Sequence, residues 1–109
     1  MKYRSKAVII DGHRFPSKLE AQRYCELRLL QKAGKITGLE LQPSFLLQPA
    51  FEKNGVHYRA IYYVADFKYW KDGKIIVEDT KGYKTEVYAL KKKMFEFLYP
   101  DLHIVEVMK

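Results

Sequence analysis

The sequence predicts a single α/β domain, with a mixed β-sheet and helices packed on it. Three observations lead there. Along the chain the order is hairpin, helix, about three strands, helix, strand, and a last strand reached through a helix can lie parallel to its neighbour. The 109 residues amount to about one domain's worth of chain. The mix of 48% apolar and 30% charged residues belongs to an ordinary globular protein, which excludes disordered and fibrous classes. With no repeat, low-complexity segment or linker, residues 1–109 are read as one domain.

Ala7 to Phe15 reads as a hairpin turning on Asp11-Gly12, because Asp-Gly adopts the positive φ angles of a type I′ turn. Ser17-Lys18-Leu19-Glu20 has the form of a capping box and predicts a helix over about 18–33, stopped at Ala33-Gly34-Lys35. From Ile36 to Phe51, Leu39, Leu41, Phe45 and Leu47 alternate around Pro43 and Pro49, predicting one or two short edge-like strands. Lys53-Asn54-Gly55 is a turn. Val56 to Trp70 reads as one long strand, and Lys71-Asp72-Gly73-Lys74 turns it into a second, Ile75 to Lys81. Thr85 caps a helix over about 86–98 whose Val87, Leu90, Met94 and Phe97 recur at helical spacing and are expected to face the core. Pro100 closes it. Leu102 to Met108 carries apolar residues on both faces, as suits a strand covered on both sides.

Twenty Lys+Arg against 13 Asp+Glu leave a formal charge of +7, which favours a polyanionic partner, nucleic acid first. No apolar stretch approaches the roughly 20 residues of a membrane span. No apolar region of signal-peptide length follows the basic residues 1–6, and the single cysteine, Cys25, has no internal partner. The chain is therefore expected in a reducing cytoplasm, with no membrane contact.

The chemistry concentrates in the second hairpin. With Asp72-Gly73 as a two-residue turn, Lys71 faces Lys74, Trp70 faces Ile75, Lys68 faces Val77, and Asp66 is expected to face Asp79. Directly opposed side chains lie about 5 Å apart, so two carboxylates there repel unless something compensates. Lys81 falls on the same side as Asp79, and Glu78 on the other. Two converging carboxylates are oxygen ligands for a hard cation such as Mg²⁺, and a neighbouring ammonium can orient a water: the minimal kit for metal-assisted phosphodiester hydrolysis. The competing reading is a solvated ion-pair cluster. Against it, Asp is disfavoured inside strands, and both aspartates interrupt mostly apolar runs.

These residues resemble the PD-(D/E)XK, restriction-endonuclease-like, nuclease superfamily. Ala65-Asp66 stands for the PD, with Ala in place of Pro, and Asp79-Thr80-Lys81 for the (D/E)XK. Residues 18–108 follow the superfamily's core order of helix, three strands, helix, strand. More narrowly, Phe15 to Tyr24 together with Ala65-Asp66-Phe67 and Val77 to Gly82 resemble a small phage and prophage family related to Holliday junction resolvases. The resemblance implies an αβββαβ core preceded by the N-terminal hairpin. It further implies that Asp66 and Asp79 ligate Mg²⁺ or Mn²⁺ with the Thr80 carbonyl, that Glu20 on the first helix joins them, and that Lys81 orients the attacking water. Glu20 also has the plainer role of a capping-box residue.

His13, His57 and His103 show no metal-ligand spacing and read as surface or strand-packing residues; Cys25 has no paired base. Trp70 reads as cross-strand packing with Ile75. Lys91-Lys92-Lys93 is by default a solvated face, but with Lys84 it extends a basic segment able to hold phosphates. The favoured function is a metal-dependent DNA endonuclease, structure-selective and resolvase-like, needing no small-molecule cofactor. The alternative is a non-catalytic basic DNA- or RNA-binding module; a replication-interaction protein has no specific support. Cutting two strands symmetrically needs two sites, so a homodimer is expected, with residues 7–15 and 39–51 as candidate interfaces.

Overall fold

The computed structural model describes residues 7–81 and 84–108, apart from the side chains of Lys81 and Met108; the basic residues 1–6 and Gly82, expected to close a strand, lie outside the described residues. The chain runs β1 (Val8–Ile10), β2 (His13–Phe15), α1 (Lys18–Lys32), β3 (Thr37–Leu41), β4 (Ser44–Gln48), β5 (Phe51–Lys53), β6 (Val56–Tyr58), β7 (Ile61–Val64), β8 (Phe67–Lys71), β9 (Lys74–Lys81), α2 (Glu86–Leu98) and β10 (His103–Met108). This is the mixed α/β architecture expected. A four-stranded sheet in the order β10-β9-β8-β3 forms its centre, with β9 antiparallel to β8 and, across the α2 connection, parallel to β10. Among the described residues no helix is long and apolar enough to cross a membrane.

Local chemistry explains the punctuation. Asp11-Gly12, Asn54-Gly55 and Asp72-Gly73 take positive φ at both residues, as type I′ hairpin turns require. Ser17 caps α1 by accepting from the Glu20 amide at 3.2 Å. The helix ends in a Schellman motif, Gly34 donating to Gln31 and Lys35 to Leu30 at 3.0 and 2.9 Å.

The stretch expected as one strand over Val56 to Trp70 is three, β6, β7 and β8, and its partner is likewise broken into β5, β4 and β3. Together they form one long bent hairpin. Paired residue numbers sum to 109 at Phe51↔Tyr58, to 108 at Phe45↔Tyr63 and Leu41↔Phe67, and to 107 at Thr37↔Trp70. Each step is an extra residue on the first limb, a bulge that bends the ribbon. Only β8 pairs with β9; the distal part, β4 to β7, leaves the central sheet as an arm.

Two cores lie on opposite faces. Tyr24 and Leu27 of α1 pack with Phe15, Ile36, Phe67 and Tyr69 on one. Tyr88 and Phe95 of α2 pack with Phe45, Leu47, Tyr63 and Val77 on the other. This corrects the expected α2 stripe: Val87, Leu90 and Phe97 are exposed, Phe97 at 83%, and only Met94 of that set packs inward. The helix turns Phe95 into an aromatic cage, with the Phe45, Tyr99 and Tyr63 rings centred 4.9, 5.1 and 5.4 Å away. The aliphatic Val87 and Leu90 offer no such edge and stacking contacts. Phe97→Ser is accordingly expected to change unfolding free energy by no more than about 0.5 kcal/mol in urea titrations. β10 is also corrected: it is the edge of the sheet, Ile104 packing inward while Val105 remains 44% exposed.

Candidate functional site

The β8–β9 register is the expected one, Lys71↔Lys74, Trp70↔Ile75 and Lys68↔Val77, but the ladder ends at Phe67↔Glu78. Asp66 is the next residue. Its amide donates to the Glu78 carbonyl at 3.1 Å, and its own carbonyl accepts from Gln42 at 2.9 Å, so its backbone ties β9 to the departing arm. Strict alternation fails at this fork. Phe67 and Tyr69 belong to the α1-side core, whereas Tyr63 and Ala65, at the same parity, belong to the α2-side core. The ribbon rotates about Asp66, where Gln42 opposite takes a φ of +49°.

As a result Asp66 and Asp79 have different surroundings. Oδ2 of Asp66 accepts from the Thr80 amide at 2.6 Å and the Thr80 hydroxyl at 2.7 Å. Thr80 thus meets Asp66 through amide and hydroxyl. Asp79 is 1% exposed and accepts a hydrogen bond from the hydroxyl of Tyr63. Burial, then this hydrogen bond, push the Tyr63 hydroxyl well above the ordinary phenol range, so it remains a donor to Asp79. Lys81 is the last residue of β9, opposite Met108 on β10.

Glu20 is the acidic residue that shares Asp66's space. Both line a cleft of about 210 Å³, together with Gly12, His13, Arg14, Phe15, Leu41 and Gln42. Among the hydrogen bonds of the described residues, Ser17 accepts from the Glu20 amide while the reciprocal bond of a capping box, to the Glu20 carboxylate, is not made. Glu20 is 5% exposed and borders the cleft, beyond what a cap requires. The paired oxygens of Glu20 and Asp66 are hard donors suited to Mg²⁺ or Mn²⁺. No group of three His, Cys, Asp or Glu able to hold a metal ion is found among the described residues.

Glu78 does lie on the other face, as alternation requires. It receives Arg23 through two hydrogen bonds, Nε to Oε1 at 2.8 Å and Nη2 to Oε2 at 2.6 Å, and the Tyr69 hydroxyl as well. This buried pair had no signal in the sequence, since 55 residues separate its members.

The basic segment is partly neutralised. Lys84 and Lys92 both approach Glu106, at 2.9 and 3.7 Å, while Lys91 forms no ion pair among the described residues. Tyr88 donates to the same carboxylate at 2.7 Å. A shallow basin of about 410 Å³ is bordered by Lys84, Tyr88, Lys92, Lys93, Glu96 and Glu106, three cations against two anions. Bonds from Tyr88 first and Lys84 second hold the Glu106 carboxyl below its usual range. A lowered native value contributes stability above the ordinary carboxylate pKa and loses it as pH falls through the native one. Glu106→Gln is therefore expected to lower the melting temperature near neutral pH, with the difference from wild type closing below about pH 4.

Sequence reasoning missed Tyr63, Glu106 and the cleft wall His13-Arg14. For Glu106 a signal existed: parallel pairing of the last strand sets it opposite Asp79. For Tyr63 none did, because the rotation at Asp66 is what turns it toward Asp79. Cys25 packs half-buried beside the α1-side core.

The family model described as "Protein of unknown function (DUF1064)" matches residues 1–109. No curated protein matches the chain. The chain belongs to the DUF1064 family.

Proposed function

We propose that this DUF1064 chain is a metal-dependent DNA endonuclease of the PD-(D/E)XK type, structure-selective and resolvase-like, acting in phage recombination or DNA processing in the cytoplasm of a bacterial host. One observation carries the reading: Glu20 and Asp66 line a single cleft, and Asp66 is braced by Thr80, the residue between Asp79 and Lys81. Glu20, Asp66 and Asp79, with the Thr80 carbonyl, would hold Mg²⁺ or Mn²⁺, which supplies Lewis acidity for charge developing on a phosphate. The chain's own residues prepare that site. Thr80 fixes the Asp66 carboxylate by two hydrogen bonds, and the Tyr63 hydroxyl fixes that of Asp79. In this reading Lys81 orients the attacking water, and Lys91, with Lys84 and Lys92 at the Glu106 basin, holds flanking phosphates.

A homodimer belongs to the same proposal. The outer face of the arm leaves Leu46, Tyr62 and Val64 between 40% and 54% exposed, an apolar surface within and beside the expected 39–51 interface. Light scattering that finds only monomer at assay concentrations counts against it. The second reading, a non-catalytic nucleic-acid-binding module, is favoured by the engagement of Asp79 with Tyr63 on the α2 side. Labelled four-way junctions, flaps, duplexes and single strands, incubated with Mg²⁺ or Mn²⁺, separate the two. Divalent-dependent cleavage supports the endonuclease; binding without cleavage of any substrate supports the module.

A further inference from the structure

We propose that Arg14 is the phosphate-gripping residue of the cleft, the group that binds a backbone phosphate of a DNA strand presented to Glu20 and Asp66. This rests on the nuclease reading and adds a substrate contact to it. Arg14 lies on β2 and lines the same cleft of about 210 Å³ as the two carboxylates. At ~30 Å³ per water molecule, that is room for about seven waters, or for a phosphodiester group with fewer. Two carboxylates alone would repel a phosphate oxygen. A guanidinium on the same cleft offers the complementary charge and a planar fork of donors matched to phosphate.

Arg14 is also held ready. The turn before it is moored to α1: Asp11 accepts from the Tyr24 hydroxyl at 2.8 Å and from Arg28 at 2.7 Å. The residue after it, Phe15, is 2% exposed with its ring centred 4.9 Å from that of Tyr24. Between these anchors the Arg14 backbone has a set position, while its side chain projects from an exposed residue. Arg23 and Arg28 are engaged by carboxylates, but Arg14 makes no hydrogen bond or ion pair among the described residues.

The test measures binding and cutting separately. Fluorescence anisotropy of a labelled four-way junction and a labelled duplex, in Ca²⁺ and across a salt series, reads binding; Mg²⁺ reads cleavage. Arg14→Gln is expected to raise Kd about 10-fold or more, as loss of a charge-assisted contact does, and to reduce the salt slope by about one phosphate. Arg14→Lys is expected to recover the slope but only part of the affinity. Because the residue is exposed, both variants should melt like wild type. Arg14→Gln binding within twofold of wild type with an unchanged slope overturns the proposal, as does a wild-type protein that binds neither DNA. Wild type that cuts while Arg14→Gln binds and cuts equally well overturns this inference alone. Wild type that binds but never cuts sinks the nuclease reading, and a binding loss in Arg14→Gln then still supports the grip.

Discussion

Asp79→Asn is expected to lose Mg²⁺-dependent DNA cleavage by a factor on the order of 10³ or more while retaining its fold and most of its DNA affinity. Removing one preorganised charge-stabilising group from an active site costs roughly 10²–10³ in rate, and loss of a carboxylate ligand also weakens occupancy by the cation. Asn is preferred to Ala here for a physical reason. Asp79 is 1% exposed and accepts from Tyr63, so an alanine would remove the acceptor of a buried hydroxyl at a cost of about 1–3 kcal/mol. Asn keeps the acceptor and the volume and removes the charge. Asp66→Asn preserves the Thr80 contacts by the same logic and should be equally inactive. Lys81→Ala is the third arm, expected to bind DNA and not cut. Asp79→Asn and Lys81→Ala proteins that both cleave at the wild-type rate sink the assignment.

Arg23→Ala is expected to cost about 3–5 kcal/mol of folding free energy, because it strands the Glu78 carboxylate, 1% exposed, with no guanidinium. The Arg23 side chain is 24% exposed, and partial solvation places the effect toward the lower end of that range. Against a typical total of about 5–15 kcal/mol, that is a large share. Replacing all three polar partners with apolar side chains, as Arg23→Met, Glu78→Leu and Tyr69→Phe, is expected to restore most of the loss, since no buried group then lacks a partner. Urea unfolding of wild type, Arg23→Ala and the triple variant measures both effects. A loss below about 1 kcal/mol in Arg23→Ala would overturn the expectation that the Glu78 carboxylate is stranded.

The basic α2 segment teaches a related point. Counting lysines identifies positive charge, but Lys84 and Lys92 are tethered by Glu106, a residue on another strand. The net positive charge of this segment is smaller than its lysines alone suggest.

By itself the sequence determined whatever depends on neighbours a few residues apart. Asp-Gly and Asn-Gly dipeptides set three type I′ turns, Ser17 and Gly34 bracketed α1, and the Asp72-Gly73 turn dictated the β8–β9 register down to Phe67↔Glu78. Those are short-range backbone constraints with one low-energy solution each. Only the tertiary structure decided which face of α2 is buried, because aromatic partners from β4 and β7 draw Phe95 inward in place of Leu90 and Phe97. It also decided where the carboxylates go. Alternation is a rule for an unbroken strand, and the rotation at Asp66 breaks this one. Asp66 therefore lines the cleft with Glu20 and Asp79 accepts from Tyr63, contacts that depend on how the bent arm packs.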